Sequence, residues 1–385
     1  MKKIKTIFFL LFLVFFYPFY GGIHSKTKKE EILKKNIEKH EDRHLNMYID
    51  FISSISSKVE KSSISSQVEK NVFDGGIFSE EFLKLDLIGK ANENIDYRFV
   101  QKIHMYPESY KIDTKMDIAY LKCKLNDQLS FLIGKQPISF GSMEYHSKYL
   151  PVYKYPDIYK NEDHPIGINF IYTPKKNQEF RFQIVNHLNH DNNLVQKENN
   201  LMGYSLNWNW NLLHNKIQNR WSYSIFQEMV KDHFWKVLAL GSKLDFKPVS
   251  MESDYILSDE DIEKNGHFTQ FFRSITKEVA SMRYGTYFLK FKYNFIPRWN
   301  LFAKGVYELG RSKKEIKKII GKNQLFKKGY TYYGGIEYQP IKNNEDLSLY
   351  FVYQRKNVKY MDLVKQENKN NHFISLGLSY RVKLL

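Results

Sequence analysis

Two alternations constrain this chain more than anything else: bulky against polar within short segments, and long against short in the links that join them. The segment "YSLNWNWN" (204–211) shows the first. Tyr204, Leu206, Trp208 and Trp210 alternate with Ser205, Asn207, Asn209 and Asn211. A period of two means an extended strand, because successive side chains leave a strand on opposite faces. One face is aromatic and the other carries amides and hydroxyls. Such a strand fits a soluble sandwich with an aromatic core. It also fits an outer-membrane barrel with lipid on its aromatic face and water on the other.

The second alternation separates the two. Strands are predicted near 45–53, 81–90, 95–103, 117–125, 128–136, 165–173, 179–187 and 202–211. Eight more lie near 220–228, 234–246, 250–257, 282–293, 299–308, 330–339, 346–355 and 372–383. Long links mostly follow the odd strands, among them "HMYPESYKIDTKM", "LNHDNNLVQKENNL" and "KNVKYMDLVKQENKNN". Short ones follow the even strands: "ANEN", "NDQ", "PKKNQ", "KPV" and "IPR". Only "LLHNKIQN" and "MVKDH" depart from the trend. Long loops on one rim and tight turns on the other mark a transmembrane up-and-down barrel, and a sandwich has no reason to segregate them. The predicted class is all-β: an antiparallel transmembrane barrel of about sixteen strands. Two strands, "FLIGKQ" and "WKVLALGSKL", read as almost continuously apolar. In the first long link "SSISSKVEK" (53–61) is followed by "SSISSQVEK" (62–70), a tandem duplication suited to a polar loop tip.

The N-terminus has the layout of an export signal. Lys2, Lys3 and Lys5 precede an apolar run from Ile7 to Tyr20, which is short for a membrane-spanning helix, and Gly21 and Gly22 follow. The division expected is a signal peptide over 1–22, a charged periplasmic helical leader over 23–44 and a barrel over 45–385. Aromatic residues make up 16% of the chain, yet mean hydropathy is −0.53. A barrel reconciles these values, since only half of each strand meets lipid. The lone Cys123 leaves no disulfide framework. A formal charge of +17 suggests nucleic acid as a partner, but export to the envelope argues against it. The last strand, "HFISLGLSYRVKLL", alternates apolar residues to the end and resembles the terminal signal read by barrel-assembly machinery.

"LSFLIGKQPISFGSMEYHSKYLPVYKYPD" (129–157), a strand running through a Gly-Lys turn into a long loop, resembles the phosphate-selective porin O and P family, in particular its Bacteroidetes-type members. "LGSKLDFKPVSMESDYI" (240–256) and "WNLFAKGVYELG" (299–310) are similar to later strands of that family. The resemblance implies a sixteen-stranded, trimeric porin of the bacterial outer membrane. It implies a loop after the fifth strand that folds inward, and passage of small anionic solutes, phosphate among them. Known members line the lumen with arginines and constrict it with lysines. Here ten arginines stand against 49 lysines.

The alternation places Lys84, Arg98, Lys102, Lys122, Lys124, Arg181, Lys290, Lys292 and Lys304 toward the lumen, facing Asp50, Asp86, Asp96, Glu252, Asp254, Glu308 and Glu337. A modest cationic excess predicts a mild preference for anions. The inward-loop candidates are Glu144, Tyr145, His146, Lys148, Lys154 and Asp157; the competing reading is an external loop packed by its own aromatics. "HEDRH" (40–44) matches the zincin pattern H-E-x-x-H, but "NIEKHEDRHLN" is charged all round and offers no apolar face to pack. "HLNHD" (187–191) reads as a solvated loop. No nucleotide loop, dinucleotide fingerprint or G-x-S-x-G elbow is present. The expectation is a diffusion channel without enzymatic activity, cofactor or metal, and with membrane lipid as its surroundings. The alternative is a plugged barrel with a structural or surface-interaction role.

Overall fold

The computed structural model describes residues 44–62, 70–78, 82–106, 111–146, 164–186, 201–228, 232–264, 269, 280–315, 321–341, 346–361 and 368–385. The strands are β1 (Leu45–Ser62), β2 (Lys70–Phe78), β3 (Phe82–Asn92), β4 (Ile95–Tyr106), β5 (Lys111–Lys124) and β6 (Leu129–Lys135). A one-turn helix α1 (Met143–His146) precedes β7 (Ile166–Lys175), β8 (Gln178–Asn186), β9 (Met202–Leu212), β10 (Ile217–Gln227), β11 (Phe234–Phe246) and β12 (Val249–Glu260). The last five are β13 (Met282–Ile296), β14 (Trp299–Ser312), β15 (Leu325–Tyr338), β16 (Leu347–Tyr360) and β17 (Lys369–Lys383). From β3 onward each strand pairs antiparallel with the next, and β17 returns to β1 in a register that includes Phe51↔Tyr380.

β2 and β3 share one edge of β1, end to end. Ser62↔Lys70 through Ile55↔Phe78 pair above, and Ile52↔Phe82 through Leu45↔Gly89 below. The two occupy one place in the wall, so seventeen strands make a closed barrel of sixteen. Closing the ring by pairing β17 with β1 joins the sheet's first and last strands, the closure by which a sheet crosses lipid. Among the described residues, free edges remain at the long-loop rim on β2 and on 111–118 of β5. No helix among the described residues is long and apolar enough to cross a membrane.

The wall has the two faces that the sequence implies. On β9, Leu206 and Trp208 are 42% and 36% exposed on the outside, whereas Ser205 and Asn207 are 3% exposed within. Short turns join the strands at one rim. The ends of β1, β4, β12 and β16 and the starts of β2 and β5 lie at the other.

Four expectations need correction. The first link is not loop from 54 to 80, because β1 runs to Ser62 and meets β2 as a hairpin. The first duplicated copy is therefore strand, while 63–69 of the second lies outside the described residues. Most of "HMYPESYKIDTKM" is likewise strand, in β4 and β5. The "LLHNKIQN" link contracts to a four-residue turn, with Leu213, His214 and Asn215 at positive φ, so it obeys the trend it seemed to break. The signal, the leader and "HEDRH", apart from His44, lie outside the described residues, as does "HLNHD".

Candidate functional site

After β6 the chain turns into the barrel. Residues 136–146 cross the inner face of β7–β12, and polar groups hold them at each step. Gln183 accepts from the Ser139 amide at 2.8 Å and donates to the Pro137 carbonyl at 2.9 Å. Ser205 Oγ donates to the Ser139 carbonyl at 3.0 Å, and Ser222 Oγ accepts from the Gly141 amide at 2.6 Å. The carboxylate of Asp254 on β12 accepts from Ser142 Oγ at 2.6 Å and from the amides of Met143 and Glu144, both at 2.9 Å. These two amides have no partner within a one-turn helix, so a buried anion at its N-terminus satisfies them. Glu144 then forms an ion pair with Lys304 of β14, and both side chains are fully buried.

Two glycines permit this contact. A Cβ on Gly141 would lie 2.5 Å from the Ser222 amide nitrogen, and one on Gly241 would lie 2.7 Å from the Gly141 carbonyl oxygen. Around them Phe140 packs against Phe226 and Trp235 in a cluster with Ile138, Val237, Ala239 and Ile256. Tyr145 meets Phe140 edge-on at 5.2 Å. His146 ends α1. Lys148, Lys154 and Asp157 lie outside the described residues.

The register puts the nine basic candidates on the inner face, and eight of them are ion-paired. Lys84 lies 3.5 Å from Asp50, Lys102 2.8 Å from Asp117, and Lys124 3.4 Å from Asp96. Arg98 makes two 2.9 Å bonds to Asp86. Arg181 meets Glu179 at 2.7 Å, Lys290 meets Glu252 at 3.1 Å, and Lys292 meets Glu337 at 2.8 Å. Lys304 takes Glu144. Lys122 sits beside Asp96 in register and has no ion pair among the described residues.

A profile of the family described as "Phosphate-selective porin O and P" matches residues 78–382, well over half of the chain. The chain belongs to this porin family. It is a diffusion channel of the bacterial outer membrane. Solved porins share its fold. The outer membrane channel DcaP of Acinetobacter baumannii superposes with a TM-score of 0.62 at 11% identity, covering 88% of this chain and 97% of that one. An anion-selective porin from Comamonas acidovorans gives 0.57 at 8%, covering 89% and 100%. Salmonella typhi OmpF, in complex with daunomycin, gives 0.58 at 12%, covering 88% and 97%. No curated protein sequence matches the chain.

Three inner-face cations of the porin escape a reading by single strands. Arg220 opens the alternation "RWSYSIF" opposite Trp221, but stands where the predicted strand begins. Lys243, 3.4 Å from Glu252, is hidden in the nearly continuous apolar run of β11. Arg381 bridges Asp50 at 3.3 Å and Asp86 at 3.1 Å from a strand read only for its apolar residues. The alternation contains each of them; what was missing was the neighbouring strand.

Proposed function

We propose that this porin passes small hydrophilic solutes by passive diffusion with a mild preference for anions, performs no chemical step, and assembles as a homotrimer. One observation supports the preference: in most inner-wall ion pairs the carboxylate lies beneath and the cation toward the water. Side-chain exposure is 30% for Arg98 against 0% for Asp86, 32% for Lys102 against 12% for Asp117, and 32% for Lys292 against 6% for Glu337. Three cations, Lys84, Arg98 and Arg381, also share only two carboxylates, Asp50 and Asp86. A solute in the lumen therefore meets cations first, and a low-dielectric wall concentrates counter-ions of the opposite sign. The segment 136–146, held across the inner face by Gln183, Ser205, Ser222 and Asp254, narrows the path from the β7–β12 side. The trimeric form of OmpT from Vibrio cholerae, of the same fold, supports the assembly.

A second reading has an observation in its favour. Phe288, Phe302, Val306, Tyr333, Tyr350 and Val352 form a buried cluster on the inner faces of β13–β16 and fill part of the lumen. A barrel plugged in this way would be structural. Refolded protein in a planar bilayer under a KCl gradient separates the readings. Steady conductance with a chloride-selective reversal potential is the expected result. A potassium-selective potential discards the anion preference, and folded barrels that do not conduct discard the channel.

A further inference from the structure

The outer face of four adjacent strands ends, toward the long-loop rim, in the same order: apolar residues, then tyrosine, then a cation. On β13 the order is Phe291, Leu289, Tyr287 and Arg283; on β14 it is Leu301, Tyr307 and Arg311. β15 runs through Ile336, Tyr332 and Tyr330 to Lys328, and β16 through Phe351 and Tyr353 to Arg355 and Lys359. Tyrosines form a row in register from β12 to β15, which reaches β16 at Asn357, while Tyr353 lies lower, opposite Gly334. Tyr255, Tyr287, Tyr307 and Tyr330 are direct partners, with ring centroids 4.9, 6.2 and 4.8 Å apart.

An outward-facing row of tyrosines marks the boundary between hydrocarbon and head groups, where an aromatic ring meets lipid and its hydroxyl meets water. On β13–β15 the cations follow it by two to four residues, and on β16 Lys359 follows it by two while Arg355 stands two residues before it, level with Tyr332. At about 3.3 Å per residue, a step of two to four residues is about 7–13 Å, the depth at which phosphates lie. Arg283 has its own carboxylate, Asp259, at 2.8 Å, and Lys313 is tied to Asp259 and Asp261. Arg311, Lys328, Arg355 and Lys359 have no ion pair among the described residues. Arg311 and Arg355 make only single neutral contacts, to the Asn323 carbonyl and to Asn370 Oδ1.

We propose that this face binds the phosphate groups of an anionic lipid of the outer leaflet. Arg311, Lys328, Arg355 and Lys359 meet the phosphates, and the tyrosine row seats the junction between acyl chains and head group. Charge complementarity selects this occupant over a second copy of the chain. Against a copy, four cations would enter a contact without carboxylates of their own, at a full desolvation cost.

The test uses the folded full-length barrel in detergent, bis-phosphorylated lipid A as the probe and its dephosphorylated counterpart as the control. Native mass spectrometry counts retained lipid and reads the oligomer in the same spectrum. Wild-type protein should retain the phosphorylated lipid at least about fivefold better than the control, and lose it as KCl rises from about 0.1 to 1 M. Exchanging the four cations for Gln should abolish the difference, while Arg→Lys and Lys→Arg exchanges at the same positions should keep it. If the fourfold variant does not fold, the pair Arg355→Gln and Lys359→Gln at the exposed end of β16 should halve retention. Equal retention of both lipids by the wild type, or retention insensitive to salt, overturns the proposal. So does a Gln variant that loses its oligomer yet keeps its lipid, which would make this face a contact between copies.

Discussion

Glu144 and Lys304 are buried together where α1 meets β14. A buried pair adds little net stability, but removing one partner strands the other charge at about 3–5 kcal/mol. Lys304→Met should therefore lower the unfolding free energy by about that amount and free the loop from β14. Single-channel recording should show a larger and noisier conductance; an unchanged one would mean that the Asp254 cap alone positions the loop. Glu228 stands just beyond β10 and accepts from the Ile262 amide at 3.0 Å. Burial, and then the charge of Glu260, push its carboxyl from 4.5 up to about 8. A carboxyl raised on folding contributes stability that is complete below its unfolded value and is lost as pH rises through the folded one. The rim around Ile262 should thus loosen between about pH 4.5 and 8. Amide exchange at Ile262 should follow this rise, and Glu228→Gln should flatten it.

At the scale of elements, the sequence locates the strands well at the short-turn rim and poorly at the other. β4, β12, β15 and β16 each extend at least three residues beyond their predicted limits at the long-loop side. The reason is physical. The apolar alternation lasts only as far as the lipid does, whereas backbone pairing continues above it through residues such as Asn357 and Asn370. β11 shows the converse: "WKVLALGSKL" loses its alternation because Val237 and Ala239 face the inward segment while Leu238 and Leu240 face lipid. A strand that is apolar on both faces marks the wall beneath the loop. In the middle of β13, Leu289 is 51% exposed on the outer face. Arginine there should destabilise the barrel by about 2–4 kcal/mol, the usual cost at the bilayer midplane. Refolding into vesicles across a denaturant series measures it, and an effect below about 1 kcal/mol would place Leu289 outside the hydrocarbon.

For the whole molecule, selectivity depends on the balance of an inner wall in which most cations are already paired. Reversing Arg98 and Arg381 together to Glu removes two positive charges and adds two negative ones around Asp50 and Asp86. The reversal potential should move toward potassium, more steeply at low salt where screening is weak. An unmoved potential would take this side of the wall out of the conducting path. Unheated protein should also run on a detergent gel as a slowly migrating oligomer, and heating should convert it to a faster, unfolded monomer.

Period-two alternation, the two faces and the long–short rhythm of the links are properties of local backbone and solvent, so the sequence alone determined a sixteen-stranded barrel with water inside. Which charges neutralise one another was decided only by the tertiary structure. Asp50 and Arg381 lie 331 positions apart yet meet at 3.3 Å, because the barrel closes by pairing its first strand with its last. The path of the inward segment is likewise collective: Asp254, Ser222, Gln183 and Lys304 come from four strands, and none of them shows its partner in its own neighbourhood. Register between distant strands is set by the closed wall as a whole, and a single strand carries no record of it.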